Sequence, residues 1–262
     1  MHLNLTGKNA LVCGSTSGIG KSAAVLLAQA GASVTLLARN ADKAAMIVAD
    51  LAQQPGQNHN YLIADLSSEL SLKACLDSSA FKERSFHVLV NNNGGPPAGP
   101  IVDAGLPDFL SALQGHLFAN HLLVQAVLTG MKTSGYGRII NIISTSVKVP
   151  LKGLGVSNTT RGAVANWAKT LSGELAQYQI TVNNVLPGAT KTERLSSIIT
   201  NKAQKTGRSE GAIEAEMLEE IPMGRFALAE EIAAAIVFLA SPQAAYISGT
   251  NLVVDGGRTG CL

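Results

Sequence analysis

The stretch with the clearest chemical meaning is a glycine-rich turn, Gly14-Ser15-Thr16-Ser17-Gly18-Ile19-Gly20. It follows a short apolar run, Asn9–Cys13, and opens a helical pattern. Because such a junction brings several backbone N–H groups and the positive end of a helix dipole to one point, it favours an anionic phosphate. Gly14 allows the tight turn, Gly18 lets the backbone approach a pyrophosphate, and Gly20 lets the helix pack closely on the strand. A flexible strand-to-helix turn without a ligand is the alternative that this stretch alone leaves open.

The elements that position this turn alternate between strand and helix. Strands are predicted at residues 9–13, 33–38, 61–64, 86–90, 138–143, 180–186 and 251–254. Because these strands are apolar throughout and alternate with helical patterns, they indicate a parallel sheet that is covered on both faces. Ligands of such sheets bind beyond the carboxyl ends of the strands. We therefore predict one α/β domain over residues 1–262, with a doubly wound parallel sheet of about seven strands.

The helical patterns differ in character along the chain. Helices are predicted at about 21–28, 41–54, 70–79, 107–114, 116–131, 157–178 and 230–240. Residues 193–221 are also helical by propensity, but they are polar and have few clear helix start or stop signals, which is typical of a mobile lid. We therefore predict a substrate lid at about 193–222. The run Gly94–Pro100 is too short for a domain linker and is predicted to form a loop at the rim of the site.

Composition limits the classes of partner. Only 15% of the residues are charged, compared with about 25% in a typical soluble protein. The resulting weakly polar surface, together with apolar faces on the predicted helices 116–131 and 157–178, favours a homo-oligomer. The formal net charge of +2, the lack of a basic block and the 4% aromatic content argue against nucleic acid as a partner.

The cysteines and the chain start favour a reducing, non-membrane setting. Cys13, Cys75 and Cys261 are widely separated and lack metal-ligand spacing, so we expect no metal site and a cytoplasmic location. The N-terminus has no signal pattern, and the longest apolar stretch, near 232–240, is too short to span a bilayer. We expect a soluble, unprocessed protein.

Several motifs lie in register along the chain. They are the glycine turn, Asp65 after the third strand, Asn91-Asn92-Asn93-Gly94, Gly137–Asn141 leading to Ser144, Pro187-Gly188 followed by Thr192, and Val254-Asp255-Gly256-Gly257. With these residues the sequence resembles the short-chain dehydrogenase/reductase family over nearly its whole length, and most of all its 3-oxoacyl-carrier-protein reductase branch; the family usually has Asn-Asn-Ala-Gly where this chain has Asn91–Gly94. The resemblance implies a Rossmann-type fold, a nicotinamide cofactor, oxidoreductase chemistry on a small carbonyl or alcohol substrate, and a homotetramer or homodimer.

Two side chains bear on the identity of the cofactor. At the end of the second strand, where a carboxylate would bind the ribose hydroxyls of NAD, the chain has Ala38 followed by Arg39, which points to the phosphate of NADP. A solvated charge is the alternative for Arg39. Asp65 can accept a hydrogen bond from the adenine amino group; an N-cap of the helix that follows Leu66 is its other interpretation, and both can hold. The remaining residues that the resemblance assigns to the cofactor are Leu66, Asn91, Gly94, Arg161, Pro187, Gly188, Thr190 and Thr192.

The catalytic positions depart from the family pattern. In the family a tyrosine exchanges a proton with the substrate oxygen, a lysine four residues later binds the nicotinamide ribose, a serine polarises the carbonyl, and an asparagine orders a proton relay. Counted along this chain, those positions hold Ser157, Arg161, Ser144 and His116, so only Ser144 is retained. Spacing of i, i+4 places Ser157 and Arg161 on one helix face.

These replacements change the chemistry that is available. The pKa of a phenol is about 10 and can be lowered by a nearby cation, whereas an aliphatic hydroxyl is far less acidic. Ser157 is therefore a poor proton donor. Arg161 can still bind ribose hydroxyls, although it stays protonated. His116 has a pKa suited to acid–base work, or is structural; Lys148 is either a desolvated proton donor beside Arg161 or an exposed loop residue. Two functions remain open, an NADP-dependent oxidoreductase with an unconventional proton donor and a catalytically silent NADP-binding protein.

Overall fold

All seven predicted strands form and pair in parallel in one sheet. The computed structural model describes residues 3–261, so Met1, His2 and Leu262 of the predicted domain lie outside the described residues. The strands are β1 (Asn9–Cys13), β2 (Ser33–Ala38), β3 (Asn60–Ile63), β4 (Val88–Asn91), β5 (Gly137–Ile142), β6 (Ile180–Pro187) and β7 (Asn251–Val254). Their order is β3-β2-β1-β4-β5-β6-β7. The order reverses between β1 and β4, and the crevice at the carboxyl ends of such strands is where ligands of these sheets bind.

The described residues form ten α-helices, and helices lie on both faces of the sheet, which confirms the predicted α/β fold. They are α1 (Gly18–Gln29), α2 (Ala41–Asp50), α3 (Glu69–Asp77), α4 (Ser79–Lys82), α5 (Leu106–Leu113), α6 (Ala119–Ser134), α7 (Gly155–Leu175), α8 (Glu193–Thr206), α9 (Glu210–Glu219) and α10 (Ala229–Ala240). One buried apolar cluster joins α1 and α10 to the sheet, and a second joins α3, α6 and α7 to its other face. Helices α8 and α9 occupy the segment predicted as a lid; its movement stays a prediction.

The second helix is shorter than predicted. The pattern suggests a helix to about 54, but α2 ends at Asp50, and Leu51 already has an extended backbone with φ −66° and ψ 142°. The reason is a pair of long-range hydrogen bonds, in which the Gln57 amide donates to the carbonyl oxygens of Ala28 (2.7 Å) and Ala32 (2.8 Å). Gln57 therefore satisfies one carbonyl in the last turn of α1 and one in the connection to β2, and its segment does not extend α2.

A chain of asparagine side chains crosses four strands at the buried centre of the sheet. The Nδ2 atoms of Asn91, Asn141 and Asn184 donate in turn to Oδ1 of Asn141 (2.8 Å), Asn184 (2.9 Å) and Asn251 (2.8 Å). The strand register makes this chain because each of these residues lies directly opposite the next. Asn141 is fully buried, so its two amide contacts replace those that water would provide.

We expect Asn141→Ala to lower the free energy of unfolding by about 3 kcal/mol, because it leaves both Asn91 Nδ2 and Asn184 Oδ1 without their partner inside the sheet. Chemical denaturation measures this change. Asn166→Ala, at an exposed position on α7, is the matched control and should leave stability nearly unchanged. A loss below about 1 kcal/mol for Asn141→Ala would show that the chain contributes little.

No helix among residues 3–261 has the length and apolar character needed to cross a bilayer. The three cysteines are unpaired thiols, with Cys13 and Cys75 buried and Cys261 exposed. The cytoplasmic location stays a prediction.

Candidate functional site

The glycine turn between β1 and α1 is held in a shape that only glycine can take. Gly14 and Gly18 have positive φ angles of 55° and 51°. A Cβ atom on Gly20 would lie 2.2 Å from the Gly14 carbonyl oxygen, and one on Gly14 would lie 2.7 Å from the Asn92 carbonyl oxygen. The Asn92 amide also donates to the Gly14 carbonyl at 3.1 Å, which ties the turn to the end of β4. Sequence reasoning did not assign this positioning role to Asn92.

The N-terminus of α1 carries no side-chain cap. Ser17 is the N-cap residue, but its side chain makes no capping hydrogen bond, and the first turn contains no acidic residue. By contrast, Asn40 and Thr192 cap α2 and α8 with their own side chains. The first N–H groups of α1 are therefore not satisfied by a capping side chain, which fits an anionic phosphate at this position. The Thr192 methyl group borders the same point, because it lies 3.0 Å from where a Gly18 Cβ would be.

The residues assigned to the adenosine end lie at the ends of β2 and β3. Arg39 follows β2 directly, is exposed, and forms no ion pair with any described carboxylate. Ser15 is buried and donates from Oγ to the Leu37 carbonyl of β2 at 3.5 Å, and Leu66, which follows Asp65, is also buried. Asp65 follows β3, and its Oδ1 accepts from the backbone N–H of Ser67 at 2.9 Å.

The N-cap interpretation of Asp65 is wrong. Ser68 is the N-cap of α3, and its Oγ accepts from the N–H of Ser71. Asp65 instead stabilises the turn before the helix with Oδ1, while Oδ2 accepts no hydrogen bond from the described residues. That second oxygen remains available to an external donor such as an adenine amino group.

Ser144 and Arg161 both lie at the carboxyl end of β5. Ser144 is half-buried, starts a short 3₁₀ turn (Thr145–Val147), and accepts a hydrogen bond from the Ser146 N–H at 3.1 Å. Arg161, on α7, is 7% exposed and donates from Nη1 to the carbonyl of Ile142 at 3.0 Å. Its Nε is buried and has no hydrogen-bond partner among the described residues. A buried donor of this kind requires an acceptor outside the described residues, such as a ligand or an ordered water.

Ser157 lies in the first turn of α7, one helical turn before Arg161, and is half-buried. Burial in the first place and the neighbouring Arg194 in the second lower the pKa of Arg161 to about 10. The guanidinium therefore stays charged at neutral pH, as the sequence predicts.

The expectation that His116 has a pKa suited to acid–base work is wrong. The residue lies in a π-helical turn (Gln114–Phe118) between α5 and α6 and is 4% exposed. Burial first and Arg161 second lower the pKa of His116 to about 3, against an opposing contribution from the Gly94 backbone. His116 is consequently a neutral imidazole at pH 7, which keeps one N–H but has no imidazolium proton to transfer. The structural interpretation of His116 is the one that agrees with this geometry.

The loop after β4 connects this histidine to the cleft. The Asn93 amide donates to the Gly115 carbonyl at 2.9 Å, and the exposed Gly94 donates its N–H to Asn93 Oδ1 at 2.8 Å. π-helical turns occur frequently at functional sites. The sequence predicts two helices here, at 107–114 and 116–131, and its pattern gives no sign of the π-helical turn that joins them.

Lys148 lies just past the 3₁₀ turn, with its backbone N–H bonded to the Thr145 carbonyl. It is half-buried rather than exposed, and its own carbonyl is 4.0 Å from the Cys261 Sγ near the chain end. Its role as proton donor stays a prediction.

The end of β6 brings the last assigned residues to the same edge. Pro187 ends the strand, Gly188 donates its N–H to the Val254 carbonyl at 2.9 Å, and the buried Thr190 donates from Oγ1 to the Gly188 carbonyl at 3.0 Å. Arg194 follows in the first turn of α8 and donates from Nη2 to the Pro96 carbonyl at 2.8 Å. Sequence reasoning did not identify Arg194. Its position two residues after Thr192, which caps α8, is the signal that could have indicated it.

Comparisons with known proteins agree with this geometry. Residues 14–259 match the family described as enoyl-(acyl carrier protein) reductase. The chain is 34% identical to 7alpha-hydroxysteroid dehydrogenase of Escherichia coli K12 over 98% of its length and 96% of that protein. It is 32% identical to a 3-oxoacyl-[acyl-carrier-protein] reductase of Vibrio cholerae, over 97% of this chain and 98% of that one.

The fold of the chain also agrees with that of a solved structure. L-sorbose reductase from Gluconobacter frateurii, complexed with NADPH and L-sorbose, superposes with a TM-score of 0.92, 28% identity and full coverage of both chains. The match of the parallel sheet, of the glycine turn that begins the matched region and of nearly the whole chain length shows that this chain belongs to the short-chain dehydrogenase/reductase family.

Proposed function

We propose that the protein is an NADP(H)-dependent oxidoreductase that acts on a carbonyl or alcohol substrate with an atypical set of catalytic residues. The observation that carries the proposal is the buried Arg161 guanidinium, which donates to the carbonyl of Ile142, two residues before Ser144, and whose Nε has no hydrogen-bond partner among the described residues. The uncapped N-terminus of α1 supports a dinucleotide phosphate at the other end of the cleft. The related sorbose reductase was solved with NADPH.

The proposed roles follow from the chemistry of each group. Bound NADPH supplies hydride. Arg161 orients the nicotinamide ribose through its Nε, which no described residue satisfies, and Ser144 polarises the substrate oxygen through its hydroxyl proton. Ser157 cannot release a proton near pH 7, and His116 is neutral, so the proton comes from Lys148 or from a water molecule.

The relatives do not identify the substrate. They are named for a 7alpha-hydroxysteroid, a 3-oxoacyl-[acyl-carrier-protein] and L-sorbose, which have in common a carbonyl or alcohol group. The substrate of this chain is therefore proposed at that level of chemistry.

The proposed preference for NADP rests on Arg39. We expect the protein to bind NADPH about tenfold or more tightly than NADH, because a guanidinium fork on the 2′-phosphate contributes ~1.5–3 kcal/mol. Fluorescence titration of both nucleotides measures the ratio, and Arg39→Asp should reverse it. Lys205→Asp makes the same charge change on an exposed residue at the end of α8 and should leave the ratio unaltered. Equal affinities for the two nucleotides would refute the assignment.

A catalytically silent protein that binds NADP is the alternative function. A regulatory protein that binds NADP would keep the glycine turn and Arg39, and Ser157 together with a neutral His116 favours this possibility. It differs from the enzyme in one measurable respect, which is the turnover of a carbonyl substrate.

We also propose a homodimer or homotetramer. The outward faces of α6 and α7 carry polar residues such as His121, Gln125 and Asn166, so they are less apolar than predicted. The exposed apolar side chains concentrate just before α6, at Ile101, Val102, Leu106, Leu110 and Phe118. We expect sedimentation at micromolar concentration to show a multiple of the 27.1 kDa chain mass. A single species at the chain mass would contradict the proposal.

A further inference from the structure

Two segments of the chain flank the glycine turn, one on each side. On one side, the Asn92 amide just after β4 donates to the Gly14 carbonyl at 3.1 Å. On the other side, the Thr192 methyl group lies 3.0 Å from where a Gly18 Cβ would be. Both segments therefore start at the place where the uncapped α1 offers its first N–H groups to a phosphate.

The same two segments meet again beyond the turn. Arg194, two residues after Thr192, donates from Nη2 to the carbonyl of Pro96 at 2.8 Å, and Pro96 is four residues after Asn92. The guanidinium lies against Gly95, because a Cβ atom there would be 3.1 Å from Nη2, 3.5 Å from Cζ and 3.6 Å from Nε. These contacts close a ring of chain that consists of residues 14–18, 92–96 and 192–194.

A dinucleotide in the proposed orientation would pass through this ring. Its pyrophosphate would lie at the N-terminus of α1, which forms one side of the ring. Its two ends would lie on opposite sides of the ring, one at Arg39 after β2 and the other at Arg161 beside β5, because β2 and β5 flank β1 and β4 in the sheet. The ring therefore has to open before such a nucleotide can leave.

The joint at Arg194 is the one that opens at the lowest cost. The joint between Gly14 and Asn92 is a close packing of backbone, since a Gly14 Cβ would lie 2.7 Å from the Asn92 carbonyl oxygen. By contrast, the Arg194 side chain is exposed, so water can replace its hydrogen bond to Pro96. Arg194 also lies at the start of the predicted lid, where a small movement of α8 would separate it from the rim loop.

We propose that the contact between Arg194 and Pro96 is a latch that closes this ring over the nucleotide, and that its opening sets the rates at which NADPH enters and leaves. The inference rests on the proposed function, because it requires a nucleotide at the glycine turn. Arg194 acts through the backbone of the rim loop, so it is a positioning residue. The latch forms between groups of the protein itself and is therefore closed in the free protein as well.

Stopped-flow measurements of NADPH fluorescence test the proposal on the full chain. Mixing the free protein with increasing NADPH gives the association rate constant, and displacement of bound NADPH by excess NADP gives the dissociation rate constant. Arg194→Met removes the donor to Pro96 and should raise both rate constants about fivefold, the factor that one net hydrogen bond contributes. Because both rates rise together, the dissociation constant should change far less than either rate constant.

A second variant tests the same joint from the rim loop. Gly95→Ala places a Cβ atom 3.1 Å from Nη2, so it should displace the guanidinium and raise both rate constants in the same direction. Combined with Arg194→Met it should add nothing, because the two substitutions act on one contact. Gly99→Ala, on the same loop with no atom within 4 Å of the added Cβ, and Lys205→Met, at an exposed position of α8, are the matched controls and should leave both rates unchanged.

Unchanged rate constants in both Arg194→Met and Gly95→Ala would overturn the latch. Faster dissociation without faster association would overturn it as well, because Arg194 would then be an ordinary contact of the bound state. Chemical denaturation shows whether Arg194→Met is folded, and Gly95→Ala decides the matter if it is not. Failure of the unchanged protein to bind NADPH would instead reject the proposed function, so the two failures are distinguishable.

Discussion

The double variant Ser157→Tyr with Arg161→Lys is expected to reduce a 3-oxoacyl thioester at least ~100-fold faster than the unchanged protein, since positioned proton transfer contributes ~10²–10⁴-fold in rate. Tyrosine would place an acidic hydroxyl one helical turn from the lysine on the same face of α7. The unchanged protein should reduce this substrate and simple ketones slowly, while its NADPH affinity stays nearly the same. NADPH oxidation at neutral pH measures the rates.

Two comparisons make this prediction falsifiable even if the tyrosine does not fit. Ser157→Ala should have the same low rate as the unchanged protein, and Thr159→Tyr, at an exposed position of α7, should gain nothing. Rapid NADPH-dependent reduction by the unchanged protein that persists in Ser157→Ala would falsify the missing-donor argument. In that case Lys148→Met should abolish the rate, whereas His116→Gln should not, because His116 is neutral at this pH.

Alanine substitutions at two helical glycines are expected to have opposite effects on stability. Gly20→Ala should lower the free energy of unfolding by about 3 kcal/mol, because its Cβ would lie 2.2 Å from the Gly14 carbonyl oxygen, and it should also weaken NADPH binding. Gly173→Ala, near the end of α7 with no atom within 4 Å of the added Cβ, should raise stability by about 0.5–1 kcal/mol. Denaturation curves give both values.

The pair of glycine variants separates tertiary contact from helix propensity. If Gly20→Ala were also stabilising, the turn would have room for a side chain, and the close packing of α1 on the strand would not be required. Equal losses at both positions would show that the substitution itself, rather than the contact with Gly14, is responsible.

Local patterns predict the sheet well, because each strand is a short apolar run bounded by polar or turn residues. The bounds of β1, β2 and β7 agree with the predicted ones, while β3 and β4 are displaced by one or two residues. The glycine turn could also be predicted, since its spacing reports a steric requirement of the backbone. The truncation of α2 could not, because Gln57 contacts residues 25 and 29 positions away.

The parts of the site that sequence reasoning missed all depend on long-range contacts. The asparagine chain joins residues 43 to 67 positions apart, and Arg194 meets Pro96 across 98 positions. The pKa of His116 depends on burial and on Arg161, neither of which the local sequence reveals. The resemblance to a family gives the positions of the catalytic residues along the chain. Their charge states depend on burial and on neighbouring charges, which only the folded structure shows.

A crystal structure of the NADP complex tests the central claim most directly. We predict that the pyrophosphate lies at the uncapped N-terminus of α1, that Arg39 contacts the 2′-phosphate, and that the nicotinamide ribose accepts hydrogen bonds from Arg161. A nucleotide bound with its ribose away from Arg161 and its 2′-phosphate away from Arg39, or no binding at the glycine turn, would contradict the account.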